Sequence, residues 1–578
     1  MASRGLGGLI MFGGIRRRFH KALLDLVVVP RIKRRLRQFH EALDNPAETQ
    51  ARLLGRILER HRGTAFGADH GFSSVRTPID YQKALPIAGY DRLAPYIERM
   101  RQGEPNTLIA DARVFMFALT SGTTATRKFI PVNESYLQSY RRGWNMWGLT
   151  AFQKHTKVPL TPILQLSGDW QEEFTPGGVP CGAVTGLTAT MQRWFIRRLY
   201  CIPAAAGKVK DPFAKQYLAL RMGMAREVGM ILSANPSTLV NLARFGDANK
   251  ESILRDMRDG TLDPALEVPG LVRQAMGKAI RVKHPARVRQ LEKIIHDTGT
   301  LLPRDYWPEW TLLGNWTGGS MGPYLRQYPA FYGAKPVRDV GLIASEGRMT
   351  IPLEDGTPSG VLDIVSHYFE FVPVDEMDNP SARVLLPNEL EQGQDYFILL
   401  TTDYGLYRYD IRDVVRCTGF MGKTPLLEFL NKGAYFSSMT GEKLSEHHVT
   451  RSIDKVLQEL GVTVATYSVA PVWDDRLPGY GLYVERGSFP NPEVAGKCCA
   501  RLEELLCRTN VEYEAKRSSA RLAPLRLVWL KPGAWQAWDR ERLAKTRGAA
   551  EQYKHPCLIN AVDFRDTMTR EGRLDEFV

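Results

Sequence analysis

Short apolar runs alternate with helical stretches along most of this chain, and that rhythm is the strongest constraint on its fold. From Val114 onward, runs such as VFMFAL at 114–119, PILQL at 162–166 and MILSA at 230–234 are separated by helical segments and by loops rich in Gly and Pro. Strands that alternate with helices pack as a sheet covered by helices. The pattern predicts an α/β fold, with helices at residues 15–62 before the first strand and a charged helical excursion at 247–298.

The length of the chain predicts more than one domain. A single hydrophobic core stops growing at about 250 to 300 residues, and this chain has 578. Past Gly433 the rhythm restarts, with VTVATYSVAPVW at 462–473, YGLYVER at 480–486, a helix around 492–516 and LRLVWLK at 525–531. We therefore predict a large, multi-layer N-terminal domain over residues 1–430 and a smaller α/β domain over residues 431–578.

Composition argues against several classes of protein. No apolar run reaches the about 18 to 20 residues that span a membrane, and the run at 22–30 is interrupted by Asp25 and lacks a cleavage site typical of signal peptides. The seven cysteines are scattered without a C-x-x-C pair. That usage argues against a disulfide framework or a structural zinc, and it favours a reducing compartment, the cytoplasm.

Positive charge is concentrated near the N-terminus. Residues 1–40 hold ten Arg or Lys and one acid, Asp25, so this segment carries +9 of the net charge of +14. Such a segment can bind nucleic acid or an anionic membrane surface, or it can be the solvated face of a terminal helix. Because no base-reading motif accompanies the charge, the solvated helix is favoured and no nucleic acid is expected. A weak contact with a membrane surface stays open.

The first chemical motif directly follows the run VFMFAL. Its sequence, TSGTTATRK at 120–128, combines a glycine with hydroxyls and two basic residues. Gly122 lets successive backbone N–H groups turn toward anionic oxygens, and the hydroxyls can donate further hydrogen bonds. The loop therefore suits a triphosphate, with a Ser/Thr-rich surface turn as the alternative. The candidate ligands are Thr120, Ser121, Gly122, Thr123, Thr124 and Lys128.

Two further motifs each place a carboxylate where a strand is expected to end. Glu346 lies in IASEG at 343–347, and a carboxylate there can hold Mg²⁺ against phosphate oxygens. Asp413 lies in LYRYDIRDVV at 406–415, where an Asp can accept hydrogen bonds from both ribose hydroxyls. The aromatic residues before Asp413 could pack against adenine. Taken singly, each motif is also explained by a surface turn.

In their order along the chain, the three motifs resemble the acyl-acid amido synthetase family. This family comprises the plant hormone-conjugating enzymes of the auxin-responsive group and their bacterial relatives, within the acyl-adenylate-forming superfamily. The resemblance runs over almost the whole chain. It rests on TPIDYQKALPIAGYDRLAPYIERMRQGEPN (77–106), TSGTTATRKFIP (120–131), SANPSTL (233–239), WTGGSMGPYL (316–325), LYRYDIRDVV (406–415), GEKLSE (441–446) and EQYKHP (551–556).

The resemblance implies a role for each matching residue. The chain departs from the pattern at Leu342 and Ile343, where plant members have Tyr-Gly or Tyr-Ala, so a tyrosine that stacks on adenine is absent. It also has Ala125 where relatives often have Gly. The implied roles are binding of the ATP phosphates by Ser121, Gly122 and Thr123, proximity to the adenylate phosphate and Mg²⁺ for Ser345 and Glu346, binding of the ribose by Asp413, and contact with the nucleotide during catalysis by Lys443 and Lys554.

The activity that the resemblance implies is that of a ligase. It would adenylate a carboxylic acid with ATP and transfer the acyl group to an amine, expected to be an amino acid, which forms an amide. In the superfamily the small C-terminal domain is mobile and rotates between the two steps. The hinge would then lie near residues 431–435, where Gly433 can absorb the backbone change. The alternatives are an acyl-CoA ligase, with a thiol as acceptor, and a non-catalytic relative of the fold, for which Leu342 is the main argument.

Overall fold

A computed structural model describes most of the chain, including the strands on both sides of the proposed phosphate loop. The described residues are 29–110, 113–120, 127–159, 161–308, 311–377, 379, 381–433, 436–437, 439–440, 442, 444–473, 477–519, 521–545 and 553–577. The predictions that lie outside these ranges concern most of the basic segment 1–40, the loop residues Ser121, Gly122, Thr123 and Thr124, and Lys443.

Helices precede the first strand, as the sequence predicts. The helix Pro46–His61 buries one apolar face, which includes Leu54 and Ile57, because residues three and four apart share a side of a helix. The helix Pro78–Ala84 begins after Thr77, whose hydroxyl oxygen accepts a hydrogen bond from a backbone N–H of the first turn that would otherwise have no partner. The helices of this region are Val29–Leu43, Pro46–His61, Ala65–Asp69, Pro78–Ala84 and Tyr90–Arg101.

The first strand leads into the first motif, residues 120–128, which is the proposed phosphate loop. Met116–Thr120 pairs antiparallel with Lys128–Val132, and Thr120 stands directly opposite Lys128. The two ends of the loop are therefore held side by side. The order of strands in this mixed sheet is Lys128–Val132, Met116–Thr120, Pro180–Gly182 and Glu173–Phe174.

A parallel sheet forms a second layer, and its strands run in the order Ile163–Gln165, Met230–Leu232, Leu312–Asn315 and Val337–Asp339. The predicted helical excursion at 247–298 is present between the second and third of these strands. The helices between residues 134 and 332 are Glu134–Lys154, Val184–Thr190, Trp194–Arg197, Pro212–Gly223, Pro236–Ala248, Lys250–Asp259, Gly270–Ile280, Pro285–Thr298, Pro303–Tyr306, Gly322–Leu325 and Tyr328–Tyr332.

An antiparallel sheet completes the large domain and carries the third motif. Its strand order is Thr350–Ile351, Gly360–Leu362, Thr424–Lys432, Tyr409–Met421, Asp395–Thr401 and Tyr368–Pro373. A short hairpin, Ile343–Ala344 paired with Gly347–Arg348, precedes it and carries the second motif.

The expectation that Asp413 stands at the end of a strand is wrong. It lies inside the strand Tyr409–Met421, at a break in the pairing with Asp395–Thr401. Phe397 pairs with Val414 and Leu399 pairs with Asp410, so residues 411–413 bulge opposite Ile398 alone. A bulge redirects side chains in the middle of a strand much as a strand end does.

The C-terminal residues build cores of their own. One buried cluster includes Leu444, Leu482 and Leu502, and a second includes Trp535 and Met568. The predicted strand at 462–473 is shorter than expected and begins at Ser468. The strands of the C-terminal sheet, in spatial order, are Ser468–Trp473, Pro478–Glu485, Arg526–Leu530 and Leu574–Phe577. The helices are Glu446–Glu459, Pro492–Thr509, Val511–Ser518, Ala534–Lys545 and Phe564–Arg570, and a small hairpin pairs Phe436–Ser437 with Leu444–Ser445.

Candidate active site

The hairpin that carries Ser345 and Glu346 lies against the strand that leads into the phosphate loop. Ser345 Oγ is 3.5 Å from the carbonyl oxygen of Leu119, which accepts its hydrogen bond. The hydroxyl of Tyr404 donates a hydrogen bond of 2.7 Å to the carbonyl oxygen of Glu346. Gly347 makes this contact possible, because a Cβ at that position would stand 2.3 Å from the Tyr404 hydroxyl oxygen. The first and second motifs are therefore neighbours in space.

Tyr409 connects the three motifs through its hydroxyl. Lys128 Nζ donates to the Tyr409 hydroxyl oxygen at 3.4 Å, and that hydroxyl donates to Glu346 Oε1, also at 3.4 Å. Burial, reinforced by the charge of Glu346, raises the pKa of Tyr409. The phenol therefore stays protonated and acts as a donor to the carboxylate. Sequence reasoning missed Tyr409 as a contact, although it lies in the LYRYD segment whose aromatic residues were expected near adenine.

The bulge on the third motif holds two buried carboxylates. Asp410 and Asp413 are 5% and 3% exposed, and Arg412 donates to Asp410 Oδ1 through its backbone N–H and pairs with Oδ2 through its guanidinium, each at 2.8 Å. Burial raises the pKa of Asp410, and the charge of Asp413 raises it further. Arg408 and Arg412 have φ angles of 43° and 62°. Left-handed backbone at residues other than glycine stores strain, and such strain is concentrated at functional sites.

Lys554 comes from the C-terminal domain and reaches the large domain. Its Nζ lies 4.2 Å from the centre of the Trp316 ring and 5.4 Å from that of the Phe429 ring, within the range of cation–π attraction. Phe429 pairs with Val415, two residues beyond Asp413. The lysine thus lies close to the third motif, although the two are far apart in sequence.

Trp316 lies under the ammonium group of Lys554, and Asp339 is near enough for the charge of the lysine to act on its pKa. No role was predicted for Asp339 from the sequence. The Trp316 indole donates to the carbonyl oxygen of Gly341 at 3.0 Å, just before the hairpin of the second motif. The Asp339 carboxylate accepts hydrogen bonds from the backbone N–H groups of Thr317 and Gly341, each at 2.6 Å. Burial raises the pKa of Asp339 to about 6, against the opposing effects of these hydrogen bonds and of Lys554. Asp339 ends a strand, which is the signal that had singled out Glu346.

The basic residue before Lys128 has a partner within the protein, because Arg127, at the end of the phosphate loop, forms an ion pair of 2.9 Å with Glu173. Leu342 stands where a tyrosine was expected from the resemblance. It is half-buried against the core, and its N–H donates to Thr350 Oγ1 at 2.9 Å.

Across the described ranges, no group of three or more His, Cys, Asp or Glu side chains is arranged to hold a metal ion.

Models of one protein family match most of the chain. The GH3 family N-terminal domain matches residues 35–337, the central domain matches 360–432 and the C-terminal domain matches 447–563. The chain belongs to the GH3 family. The predicted family is therefore confirmed.

Among the relatives of this GH3 chain are amido synthetases. It is 27% identical over 561 residues to the indole-3-acetic acid-amido synthetase GH3.8 of Oryza sativa subsp. indica, which covers 91% of this chain and 90% of the relative. It is 25% identical over 563 residues to the jasmonoyl--L-amino acid synthetase GH3.5 of Oryza sativa subsp. japonica, with coverage of 91% and 94%. The predicted class of enzyme, a ligase that forms amides, agrees with both names.

Solved structures of the GH3 family share the fold. The structure of the GH3.15 acyl acid amido synthetase superposes with a TM-score of 0.80 at 21% identity, over 94% of this chain and 96% of that one. A second structure, of AtGH3.15 in complex with 2,4-DB, also gives a TM-score of 0.80, at 19% identity and the same coverage. The predicted α/β fold class is confirmed. No helix in the described ranges of this GH3 chain is long and apolar enough to cross a membrane.

Proposed function

We propose that this chain is an ATP-dependent acyl-acid amido synthetase. It would activate a carboxylic acid as its acyl-adenylate, release pyrophosphate and then transfer the acyl group to an amine, with loss of AMP. The observation that carries the proposal is the convergence of Lys128, Tyr409 and Glu346, one from each motif, in one connected set of contacts. Because its relatives are amido synthetases, we assign the acceptor as an amino acid, and we leave the acid and the amino acid unnamed.

The chain's own residues would bind and orient the nucleotide. The phosphate loop would cradle the phosphates through its backbone and through the hydroxyls of residues 120–124, while Lys128 supplies positive charge as pyrophosphate leaves. Asp413 would accept hydrogen bonds from the ribose hydroxyls, and its position on the bulge beside Asp410 supports this role. Ser345 would lie near the adenylate phosphate. Lys443 would contact the nucleotide as its match in the family motif does.

Glu346 fits the role of a magnesium ligand. Mg²⁺ is commonly held by one or two carboxylates together with substrate phosphates, and the buried carboxylate of Glu346 supplies one such ligand next to the strand that enters the phosphate loop. When bound, the ion would neutralise charge on the phosphate oxygens. Tyr409, as a hydrogen-bond donor, would orient the carboxylate.

Two domains, residues 1–430 and 431–578, would divide the reaction between them. The contact of Lys554 with Trp316 supports a role for this lysine in the arrangement described, which we assign to adenylation. A rotated arrangement would serve acyl transfer. We place the enzyme in the cytoplasm, where its cysteines, each a free thiol in the described residues, stay reduced. A weak contact of residues 1–40 with an anionic membrane surface remains a further prediction.

The first experiment is an ATP–pyrophosphate exchange assay with a panel of aromatic and aliphatic carboxylic acids. We expect at least one acid to drive exchange, and mass spectrometry of reactions with mixed amino acids should then detect an amide. Thioester formation with CoA and no amide would identify an acyl-CoA ligase instead. Absence of ATP binding, measured by calorimetry, would indicate a non-catalytic relative.

The role of Lys554 has its own test. Lys554→Ala should lower pyrophosphate exchange by about 100-fold, the scale of losing a charge that stabilises a transition state. Transfer from a supplied acyl-adenylate to the amine should stay nearly unchanged. Lys531→Ala is the matched control, because Lys531 is an exposed lysine of the same domain that bonds to the Gly572 carbonyl. An equal loss in both half-reactions would indicate a folding defect, and no loss would remove the assignment.

A further inference from the structure

Lys554 depends on its neighbours for its position, because residues 553–556 belong to no helix or strand. A lysine side chain carries about 2 kcal/mol of rotamer entropy, so the charge is useful only if the backbone that bears it is fixed. Residues further along are already paired: Cys557 and Ile559 exchange backbone hydrogen bonds of 2.8 Å with Val469. The segment immediately around Lys554 needs another attachment.

That attachment is a chain of hydrogen bonds through His555. Its Nδ1 lies 2.8 Å from Asp539 Oδ1, and its Nε2 lies 2.9 Å from Ser468 Oγ. The hydroxyl of Tyr553 donates to the same Asp539 oxygen at 2.7 Å. The residues on both sides of Lys554 are therefore tied to one carboxylate atom on the helix Ala534–Lys545.

Packing and a contact between domains restrict the segment further. The His555 ring stands edge-on to Trp535 and Trp538, with ring centres 4.6 and 5.6 Å apart. On the opposite side, the carbonyl oxygen of Tyr553 accepts a hydrogen bond from Asn235 Nδ2 of the large domain. Lys554 is thus bracketed by an anchor within the small domain and a contact with the large one.

The order Asp539, His555, Ser468 has the connectivity of a hydrolase triad, but its surroundings exclude that chemistry. Ser468 is fully buried, and its hydroxyl donates a hydrogen bond of 2.7 Å to the carbonyl oxygen of Pro556. A nucleophile must reach a substrate and be able to give its proton to the base. This serine can do neither, so the chain of hydrogen bonds holds the backbone in place.

We infer that Asp539, His555 and Ser468 are positioning residues for Lys554, and that they act in adenylation only. The inference rests on the proposed role of Lys554. Fixing the segment places the ammonium group over Trp316, beside Asp339, when the domains are arranged as described here. When the small domain rotates, Lys554 leaves that position, and the anchor should no longer affect the rate.

The test measures both half-reactions in two variants of the whole 578-residue chain. Asp539→Asn weakens the attachment of His555 and Tyr553, and Tyr553→Phe removes one hydroxyl with little risk to folding. A misplacement of about 1 Å can cost about 100-fold in rate, and we expect Asp539→Asn to lower kcat for exchange by about 10- to 50-fold. Tyr553→Phe should lower it by about threefold, on the same scale. The KM for ATP and the transfer rate should stay within about twofold, because neither residue is proposed to touch the nucleotide.

A control variant and a double variant separate the possible explanations. Tyr513→Phe, which removes a hydroxyl that donates to Glu503 elsewhere in the same domain, should leave the ratio of the half-reactions unchanged. In the Lys554→Ala background, Asp539→Asn should cause no further loss of exchange.

Each outcome has a distinct meaning. A full additional loss in that background, an equal loss in both half-reactions, or a silent Asp539→Asn beside an impaired Lys554→Ala would overturn the positioning inference. A silent Lys554→Ala would instead reject the proposed role of the lysine itself, and the inference with it.

Discussion

Replacing Asp454 with asparagine should change the balance between the two half-reactions, because this residue joins the domains. Asp454 lies on the helix Glu446–Glu459 of the small domain, and its Oδ1 is 2.5 Å from Nη1 of Arg326 in the large domain. Gly322 lets the two surfaces approach closely, since a Cβ there would stand 2.5 Å from Asp454 Oδ2. The contact belongs to the domain arrangement that we assign to adenylation.

The expected magnitude follows from the exposure of the pair. The side chains of Arg326 and Asp454 are 25% and 37% exposed, so solvent screens the attraction and the pair contributes about 1 kcal/mol, near the upper end for ion pairs at a surface. About 1 kcal/mol corresponds to about a fivefold change in an equilibrium constant. Asp454→Asn should therefore lower pyrophosphate exchange by about two- to fivefold, while transfer from a supplied acyl-adenylate is unchanged or faster.

The assay compares the ratio of exchange to transfer in the variant and in a matched control. Glu459→Gln is that control, because Glu459 is on the same helix and pairs with Arg501 inside the small domain, at 2.9 Å. High salt should reduce the exchange of the unmodified protein toward that of Asp454→Asn, since screening weakens the bond. If Asp454→Asn and Glu459→Gln give the same ratio as the unmodified protein, the ion pair does not select the arrangement and the reasoning fails.

Three further predictions address the site and its support. Glu346→Gln should lower exchange, with partial recovery in excess Mg²⁺; full activity with unchanged metal dependence would contradict its role as a ligand. Asp413→Ala should weaken ATP binding by about 1.5 to 3 kcal/mol, the range for hydrogen bonds to a charged group, and calorimetry on the folded variant that shows unchanged affinity would remove the ribose assignment. Arg408→Met should destabilise the fold by about 3 to 5 kcal/mol, because it leaves the buried Glu370 without its cation. Burial already raises the pKa of Glu370, so its ionised form destabilises the fold as pH rises and the cost should be larger at pH 8 than at pH 5; denaturant unfolding that shows the reverse order would refute this.

Local sequence patterns were sufficient to predict the layers of the fold, but not to predict the contacts between the layers. The runs at 114–119 and 230–234 lead to the strands Met116–Thr120 and Met230–Leu232, and three consecutive residues of each strand are buried, as expected of strands that are covered on both faces. The segment 462–467 is rich in β-branched residues yet precedes its strand, because pairing with the neighbouring strand begins only at Ser468. Strand limits therefore depend on neighbours that periodicity cannot identify.

In the candidate site, too, local features could be predicted from the sequence and long-range contacts could not. A motif could indicate that Glu346 or Asp413 carries chemistry, because residue type and spacing are local. The hydrogen bonds of Tyr409 to Lys128 and Glu346 span 281 and 63 residues, and nothing in the sequence near Tyr409 indicates them. The bulge that redirects Asp413 could not be predicted either, because it arises from a mismatch in length between two paired strands rather than from a glycine. His555 and Ser468, 87 residues apart, could be joined only by the fold.

The pairing of Thr120 with Lys128 determines what a change in the length of the phosphate loop would do. These two residues face each other across an antiparallel pair, and side chains along a strand alternate between the two faces of a sheet. Five pairs, from Thr120–Lys128 to Met116–Val132, hold this register, so the loop begins and ends at adjacent points whatever its length. A residue added or removed between them would leave Lys128 facing Tyr409, but it would change the path along which backbone N–H groups of the loop must surround a phosphate. Variation in loop length should therefore alter how the phosphates are held and spare the contacts of Lys128.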